Sequence, residues 1–286
     1  MKINAYAKIN IGLDVLGRRD DGYHEVRMIM QSIKLHDVLT IEKTDSSQIV
    51  ITANSKDIPT GQDNLIYKAA KLVIDEYKLR QGIRIDLEKN IPVAAGLAGG
   101  STDAAATIRA MNELFELGLG REELIKHGVR IGADVPYCLT YGTALAEGIG
   151  EILTPTDPCP PCHVLLAKPP AGVSTAYVYS HLELDNITHP DIDGILLGIK
   201  KKDICDIAHN MGNVLETVTV PELPVIGKLK KIMTDCGSIG ALMSGSGPTV
   251  FGLFGSDDEM QRAYECIRGS DFSGELFMTG FYDPDR

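Results

Sequence analysis

The chain is predicted to fold as an α+β protein with two domains. Near the N-terminus, apolar side chains occupy every second position, which is the period of a half-buried strand: Ala5, Ala7, Ile9, Ile11, Leu13 and Val15. Strand and helix patterns are interleaved along the chain, but hairpin-like early strands argue against a purely parallel sheet. Four prolines between residues 154 and 161 interrupt this order. We therefore predict a boundary there, with domains over residues 1–157 and 158–286.

Further elements are predicted from residue period and from capping and turn residues. Strands are predicted over residues 26–33, 38–43, 48–53, 83–87, 143–147 and 163–168, and helices over residues 65–77, 121–129, 174–182 and 221–236. Residues 17–22 are predicted to form a turn. Asp63 or Asn64 is the predicted N-cap of the first helix, and Gly82 its predicted C′ glycine. Helical spacing predicts one more helix through Ala105, Ile108, Met111 and Phe115.

The composition is that of a globular protein with no affinity for polyanions. Hydrophobic residues make up 44% of the chain, enough for a core, and 28 basic against 39 acidic residues leave a formal charge of −11. This charge argues against nucleic-acid or anionic-membrane partners. Because the N-terminus has no apolar leader and no run reaches the roughly 18 apolar residues of a membrane span, a bacterial cytoplasmic protein is expected. The six scattered cysteines are expected to be free thiols, and Cys159 and Cys162, which enclose two prolines, to belong to a linker.

The segment from Pro92 to Thr102 carries the strongest chemical signal. Its three glycines allow a sharp turn and a close approach to a ligand, and Ser101, Thr102 and Asp103 are N-cap residue types that predict a helix start. The amides at such a helix start favour a phosphate. No lysine follows the glycines as in a Walker A loop, and Ala98 replaces the second glycine of a Rossmann fingerprint. On the residues alone, phosphate binding and close backbone packing remain equal alternatives.

Three motifs together resemble those of the GHMP kinases, the superfamily of galactokinase, homoserine kinase and mevalonate kinase. The first covers residues 5–13, the second residues 92–106 and the third residues 240–251. The matches span most of the chain in the expected order. The resemblance implies the two-domain GHMP kinase fold, with an N-terminal domain like ribosomal protein S5 and a C-terminal ferredoxin-like domain.

The resemblance also implies an ATP-dependent small-molecule kinase and assigns roles to residues. The ATP-binding loop would comprise Pro92, Val93, Ala94, Ala95, Gly96, Leu97, Ala98, Gly99, Gly100, Ser101 and Thr102. Asp134, by itself an ordinary N-cap, would lie at the reacting hydroxyl and accept its proton, and Lys8, by itself an ordinary strand lysine, would offset the developing charge. Mg²⁺ is implied by the ATP chemistry. Its ligands stay unassigned, with Thr102 and Asp103 as candidates.

A narrower resemblance, carried by residues 17–25 and 132–137, is to members of the superfamily whose substrate contains cytidine diphosphate. It implies that Tyr23 stacks on the base and that His24 hydrogen-bonds its edge. The further implied substrate-binding residues are Asn10, Asp103 and Tyr179, with Tyr177 as the alternative to Tyr179. Another kinase of the superfamily, of the mevalonate type, and a non-catalytic ligand-binding protein on the same fold remain the alternatives. The expected partner is a small-molecule substrate, and the expected state is a monomer or weak homodimer.

Overall fold

The structure, a computed structural model, describes residues 1–284 and contains two compact units. Unit 1 comprises residues 1–7, 35–93 and 98–141, and unit 2 comprises residues 8–34, 94–97 and the described chain from residue 142 onwards. The boundary at residue 157 stays a prediction. None of the helices found in residues 1–284 has both the length and the apolar character that a membrane span requires.

Strands and helices alternate irregularly along the chain. The strands are β1 (Lys2–Arg18), β2 (His24–Thr44), β3 (Ile49–Ala53), β4 (Gly82–Glu88), β5 (Thr143–Glu147), β6 (Ile152–Pro155), β7 (His163–Lys168), β8 (Gly212–Asn213), β9 (Gly240–Met243), β10 (Val250–Phe254) and β11 (Glu275–Gly280). The helices are α1 (Leu65–Tyr77), α2 (Gly99–Leu114), α3 (Arg121–Val129), α4 (Val135–Thr140), α5 (Thr175–Ser180), α6 (Ile192–Lys201), α7 (Ile204–Asn210), α8 (Glu216–Glu222), α9 (Val225–Asp235) and α10 (Asp257–Arg268), with a 3-10 turn at Leu184–Asn186.

Unit 1 packs helices on a sheet. Strand β4 lies between β3, to which it is parallel, and residues 38–44 of β2, to which it is antiparallel. Its alternation of buried and exposed residues follows the period of two that predicted a strand over residues 83–87. Helix α2 packs on α1, α3 and α4, and its run of alanines allows this because small side chains bring helix axes close together. The predicted helix over residues 121–129 is confirmed as α3.

Unit 2 contains a second sheet with the order β11-β7-β10-β9, in which every neighbouring pair is antiparallel. Helix α9 lies between β7 and β9 in the chain, and α10 lies between β10 and β11. This order of elements is that of a split βαβ, or ferredoxin-like, arrangement. In the same unit, β8 pairs in parallel with β1, and β5 pairs with residues 28–31 of β2. The predicted strands over residues 143–147 and 163–168 are confirmed as β5 and β7.

Strand β1 is buried more completely than its sequence period predicts. Both faces are buried from Ala7 to Val15, whereas the alternation predicted a half-buried strand. On one side, Gly12 lets α6 approach so closely that a Cβ there would collide with the methyl groups of Ile192 and Ile195. The polar residues of this strand therefore lie inside the protein. Strand β2 is also longer than predicted, since residues 26–33 and 38–43 belong to one continuous strand.

The helix boundaries predicted near Gly82 and Pro224 are wrong. Helix α1 is capped by Asn64, as predicted, but it ends at Lys78 in the left-handed conformation, so Gly82 is not its C′ glycine and instead begins β4. The helix predicted over residues 221–236 is confirmed only as α9, which begins after Pro224. Residues 221 and 222 instead end α8, because Leu223, which precedes Pro224, leaves the helical region.

The conformation at Gly82 generates a stability prediction. A Cβ on this residue would overlap the backbone carbonyl of Gln48, which belongs to the neighbouring chain segment and cannot rotate away. We expect Gly82→Ala to lower the free energy of unfolding by about 1–3 kcal/mol, measured by urea denaturation. Gly17→Ala is the control, because nothing lies within 4 Å of a Cβ there. Equal stability of the two variants would contradict the prediction.

Candidate functional site

Lys8 and Asn10 lie two residues apart on β1 and therefore point to the same side of the sheet. Both are buried, with exposed fractions of 5% and 0%. The ammonium of Lys8 donates to Asn10 Oδ1 at 2.6 Å and to the carbonyl of Gly96 at 3.4 Å, and the backbone amide of Lys8 donates to the carbonyl of Leu97. A lysine chosen in the sequence as a candidate catalytic group is thus held by its neighbours rather than by solvent.

The segment 94–97, the middle of the predicted ATP-binding loop, packs against the third motif. Ser244 Oγ donates to the carbonyl of Gly96 at 2.9 Å. A Cβ on Gly96, whose φ is +74°, would overlap the Ser244 carbonyl oxygen. Glycine is therefore required here both by its conformation and by the close approach of two backbones. At Gly96 the structure therefore shows close backbone packing, which was the alternative to phosphate binding. For the rest of the loop, phosphate binding stays a prediction.

The last part of the loop leads into helix α2. The helix begins at Gly99, earlier than the predicted N-cap residues, and its N-cap is Ala98 in the left-handed conformation with no side-chain capping bond. Ser101, Thr102 and Asp103 therefore lie inside the first turns. The hydroxyl of Thr102 is 3.3 Å from that of Tyr141 and is buried. No side chain of Ala98 competes for the first amides of this 16-residue helix, which is a favourable arrangement for an anion.

Asp103 belongs to a buried ionic cluster. The ammonium of Lys89 donates to Asp103 Oδ2 at 2.9 Å and also to Asp37, which accepts further bonds from the amides of Asn90 and Ile91. Asp103 is 2% exposed, and its Oδ1 has no hydrogen-bond partner. Burial raises the pKa of Asp103 to about 8, while Lys89 acts in the opposite direction. The substrate contact implied for Asp103 stays a prediction.

Asp134 immediately precedes α4 but does not cap it. Its backbone is helical, with φ −80° and ψ −16°, and its side chain makes no capping hydrogen bond. Asp134 therefore occupies the N-cap position, as the ordinary interpretation has it, but its side chain does not cap the helix. Its half-buried carboxylate is not used for capping, and the catalytic role implied by the resemblance stays a prediction.

The predicted cytidine-binding residues lie in unit 2. The rings of His24 and Tyr179 have centroids 5.2 Å apart, and Tyr23, next to His24, is 60% exposed. Tyr177 instead donates to Glu222 at 2.7 Å and stacks on His181. Burial, followed by the charge of Arg18, lowers the pKa of His24 and favours a neutral ring that both donates and accepts. The structure therefore brings Tyr179, rather than Tyr177, to His24.

The candidate metal ligands do not fit a metal site. The Thr102 hydroxyl is buried against Tyr141, and one oxygen of Asp103 is bound to Lys89. No group of three or more His, Cys, Asp or Glu side chains in the described part of the chain is arranged to hold a metal ion. Cys159 and Cys162 are both buried, in a segment of the chain without helix or strand, consistent with the predicted linker.

Several residues of the site were not selected from the sequence. Lys89 and Asp37 are ordinary charged residues in the sequence, and only the fold brings them to Asp103. Ser244 lies within the third motif but was given no role. Asn213 donates from one amide to the carbonyls of Met243 and Gly245. In the sequence, the one signal that could have selected Asn213 is a polar residue directly before Val214 and Leu215.

Two family models match the chain. The N-terminal domain of the GHMP kinases matches residues 64–142, and the C-terminal domain matches residues 195–272. Together with the ferredoxin-like sheet and the glycine-rich loop, these matches define the class of the protein as a kinase with the two-domain GHMP fold.

Similar proteins specify the family further. The 4-diphosphocytidyl-2-C-methyl-D-erythritol kinase of Lachnoclostridium phytofermentans is 49% identical over 284 residues, which cover 99% of this chain and 98% of that protein. The kinase of the same name from Geobacillus kaustophilus is 49% identical over 278 residues, with 97% and 95% coverage. The chain belongs to the family of 4-diphosphocytidyl-2-C-methyl-D-erythritol kinases within the GHMP kinases.

Solved structures agree with this assignment. A crystal structure of 4-(cytidine 5'-diphospho)-2C-methyl-D-erythritol kinase superimposes with a TM-score of 0.85 at 33% identity, over 99% of this chain and 100% of that one. Mevalonate kinase of L. major, solved with R-mevalonate, has a TM-score of 0.77 at 17% identity, over 99% and 96% of the two chains. The second likeness shows the shared fold alone.

The buried cluster generates a prediction about pH. Unfolded Asp103 would titrate near its ordinary pKa of about 3.9, whereas the folded carboxyl titrates at about 8. Between these values the folded protein holds a proton that the unfolded chain has released, so this residue's contribution to stability falls as pH rises.

We therefore expect the stability of Asp103→Asn relative to the unaltered protein to increase with pH between 5.5 and 7.5, by at most about 1.4 kcal/mol per pH unit. Urea denaturation at three pH values measures this. Asp75→Asn makes the same charge change in an exposed pair with Lys71 and serves as the control. Parallel stability curves for Asp103→Asn and the unaltered protein would contradict the prediction.

Proposed function

We propose that this protein transfers the γ-phosphoryl group of ATP to the 2-hydroxyl of 4-diphosphocytidyl-2-C-methyl-D-erythritol, giving the 2-phosphate and ADP. The observation that carries the proposal is the near-full-length identity of 49% to kinases named for this substrate. The reaction would form part of the non-mevalonate route to isopentenyl diphosphate.

Residues 92–102 bind the ATP phosphates in this proposal. Val93, Ala94 and Gly100 are exposed, while Ala95 and Leu97 are buried and anchor the loop. The amides at the start of α2 point toward the loop side of the helix, where they favour negative charge. This arrangement suits an acidic protein, because it supplies positive potential locally without a basic surface.

Asp134 and Lys8 serve the reacting hydroxyl. As the hydroxyl oxygen bonds to the γ-phosphorus, its proton passes to the Asp134 carboxylate, and the bond from the γ-phosphorus to the bridging oxygen breaks to release ADP. Lys8 offsets negative charge on the transferring group, and its hydrogen bond to Asn10 keeps it in place. We propose that Mg²⁺ accompanies ATP and, when bound, neutralises phosphate charge.

The cytidine is recognised by Tyr23, His24 and Tyr179. A neutral His24 presents one donor and one acceptor, which suits the edge of a cytosine. Tyr179 lies beside that ring and provides an aromatic face, and exposed Tyr23 provides a second.

The proposal has three further parts. The chain divides into two domains at residue 157, the protein acts in the bacterial cytoplasm, and it is a monomer or a weak homodimer. Sedimentation analysis tests the oligomeric state.

A coupled assay of ADP release tests the substrate. We expect turnover with 4-diphosphocytidyl-2-C-methyl-D-erythritol and none above background with mevalonate, homoserine or galactose. Asp134→Asn and Lys8→Met should each reduce kcat by a factor on the order of 10²–10⁴. Turnover of mevalonate instead would favour the alternative kinase of the same fold, and ligand binding without any turnover would favour a binding protein.

The two tyrosines of α5 provide a matched pair of variants. Because base stacking contributes roughly 1–3 kcal/mol, Tyr179→Leu should raise KM for the cytidine substrate about 5- to 150-fold while leaving KM for ATP unchanged. Tyr177→Leu should leave both within about twofold, since its ring contacts His181 and its hydroxyl contacts Glu222. The reverse pattern in steady-state kinetics would transfer the role to Tyr177.

A further inference from the structure

We propose that Asn213 is a positioning residue for the phosphoryl-transfer site: it fixes the loop over residues 243–247, and this loop in turn holds segment 94–97 and the Lys8 ammonium. The kinetic part of this inference rests on the proposed function. The structural part concerns the order of segment 94–97 and stands independently of the substrate.

Asn213 is placed by the sheet. It lies in β8, whose parallel pairing with β1 sets Gly212 opposite Gly12 and Asn213 opposite Leu13. The side chain is 7% exposed. Its Nδ2 donates to the carbonyls of Met243 and Gly245, both at 2.8 Å, and its Oδ1 accepts the amide of Leu215 at 3.0 Å. Both amide protons and the carbonyl oxygen are therefore in use.

Only an amide side chain satisfies these three contacts together. Asp has no proton to donate at neutral pH and would set a carboxylate against two carbonyl oxygens. Leu would leave the carbonyls of Met243 and Gly245 without the Asn213 donor, and each acceptor that is buried without a donor lowers the stability of the folded protein. The requirement for two donors and one acceptor on one short side chain explains an asparagine at a buried position.

A second side chain holds the same residue, Met243. Glu216 Oε1 accepts the amide of Met243 at 2.8 Å, while its other oxygen is bound to Lys230 at 2.5 Å. Met243 is thus held at its N–H by Glu216 and at its carbonyl by Asn213. The turn that follows is closed by the amide of Gly247, which donates to the Ser244 carbonyl.

The loop over residues 243–247 contacts segment 94–97 of the site through Ser244. Ser244 Oγ donates to the Gly96 carbonyl at 2.9 Å, and the same carbonyl accepts from Lys8 Nζ at 3.4 Å. A Cβ on Gly245 would lie 3.5 Å from Asn10 Oδ1, so the loop also borders the residue that orients Lys8. Within residues 1–284, the hydrogen bonds of the Asn213 side chain go to Met243, Gly245 and Leu215 and not to a predicted ligand-binding residue, so Asn213 acts through the loop.

Hydrogen exchange and kinetics of Asn213→Asp test the inference. Asn112→Asp is the matched control, because Asn112 also bonds a backbone carbonyl and a backbone amide, both of Leu119, away from the loop. We expect amide exchange in residues 94–97 to accelerate at least about tenfold in Asn213→Asp and to stay unchanged in Asn112→Asp. Unchanged exchange in residues 94–97 of Asn213→Asp would overturn the proposal.

The kinetic arm uses Ser244→Ala. We expect Asn213→Asp to lower kcat about 10- to 100-fold with KM for both substrates within about threefold, because displacement of a catalytic group by about 1 Å has this effect. In a Ser244→Ala background, Asn213→Asp should lower kcat less than about threefold, because the hydrogen bond from Ser244 Oγ to the Gly96 carbonyl is already absent. Full additivity of the two losses would overturn the proposal.

The two hypotheses fail in different ways. If the unaltered protein does not phosphorylate the proposed substrate, the proposed function fails, and the exchange experiment still decides the inference. If Asn213→Asp does not fold, Asn213→Ser takes its place in both arms, because its hydroxyl keeps one donor. Faster exchange in residues 94–97 of this variant supports the proposal, and unchanged exchange overturns it.

Discussion

The contact between the Gly96 and Ser244 backbones is the constraint on which the site in unit 2 depends. The two backbones approach so closely that a side chain on Gly96 would overlap the Ser244 carbonyl oxygen, and the Ser244 hydroxyl donates to the Gly96 carbonyl. Lys8 reaches the same carbonyl. Segments that are 88 and 148 residues away from Gly96 in the chain therefore meet at one oxygen atom. The position of each group is determined by the others, as in any tightly packed polar network.

Strongly periodic segments of the sequence predicted the fold well. The limits of α3, β5 and β7 agree with the predicted limits, and Gly120, Gly142 and Pro169 lie directly beside these three elements in the sequence. Helix starts and ends were less predictable. Gly82 has the sequence position of a helix-terminating glycine. In the structure a glycine is required there because the backbone of Gln48 lies against it, and no residue near Gly82 in the sequence indicates this contact.

The candidate site was predictable to the extent that its motifs are continuous in the chain. The glycine-rich loop, Lys8 and Asp134 could be selected from the resemblance alone. The Asp37–Lys89–Asp103 cluster could not, because its three members come from separate segments and ordinary charged residues give no hint of burial. The two-faced burial of β1 was also hidden, since an alternating pattern gives no indication that the polar face is covered.

The bond between Lys8 and Asn10 has a consequence for ligand affinity. A lysine free in water samples many rotamers, and ordering it costs roughly 1.5–2 kcal/mol of side-chain entropy. In this protein the ordering takes place when the chain folds, because the buried ammonium is already held at 2.6 Å from Asn10 Oδ1. With Lys8 in the role proposed for it, an arriving phosphate group meets a preorganised cation, which avoids a weakening of its binding by roughly tenfold or more.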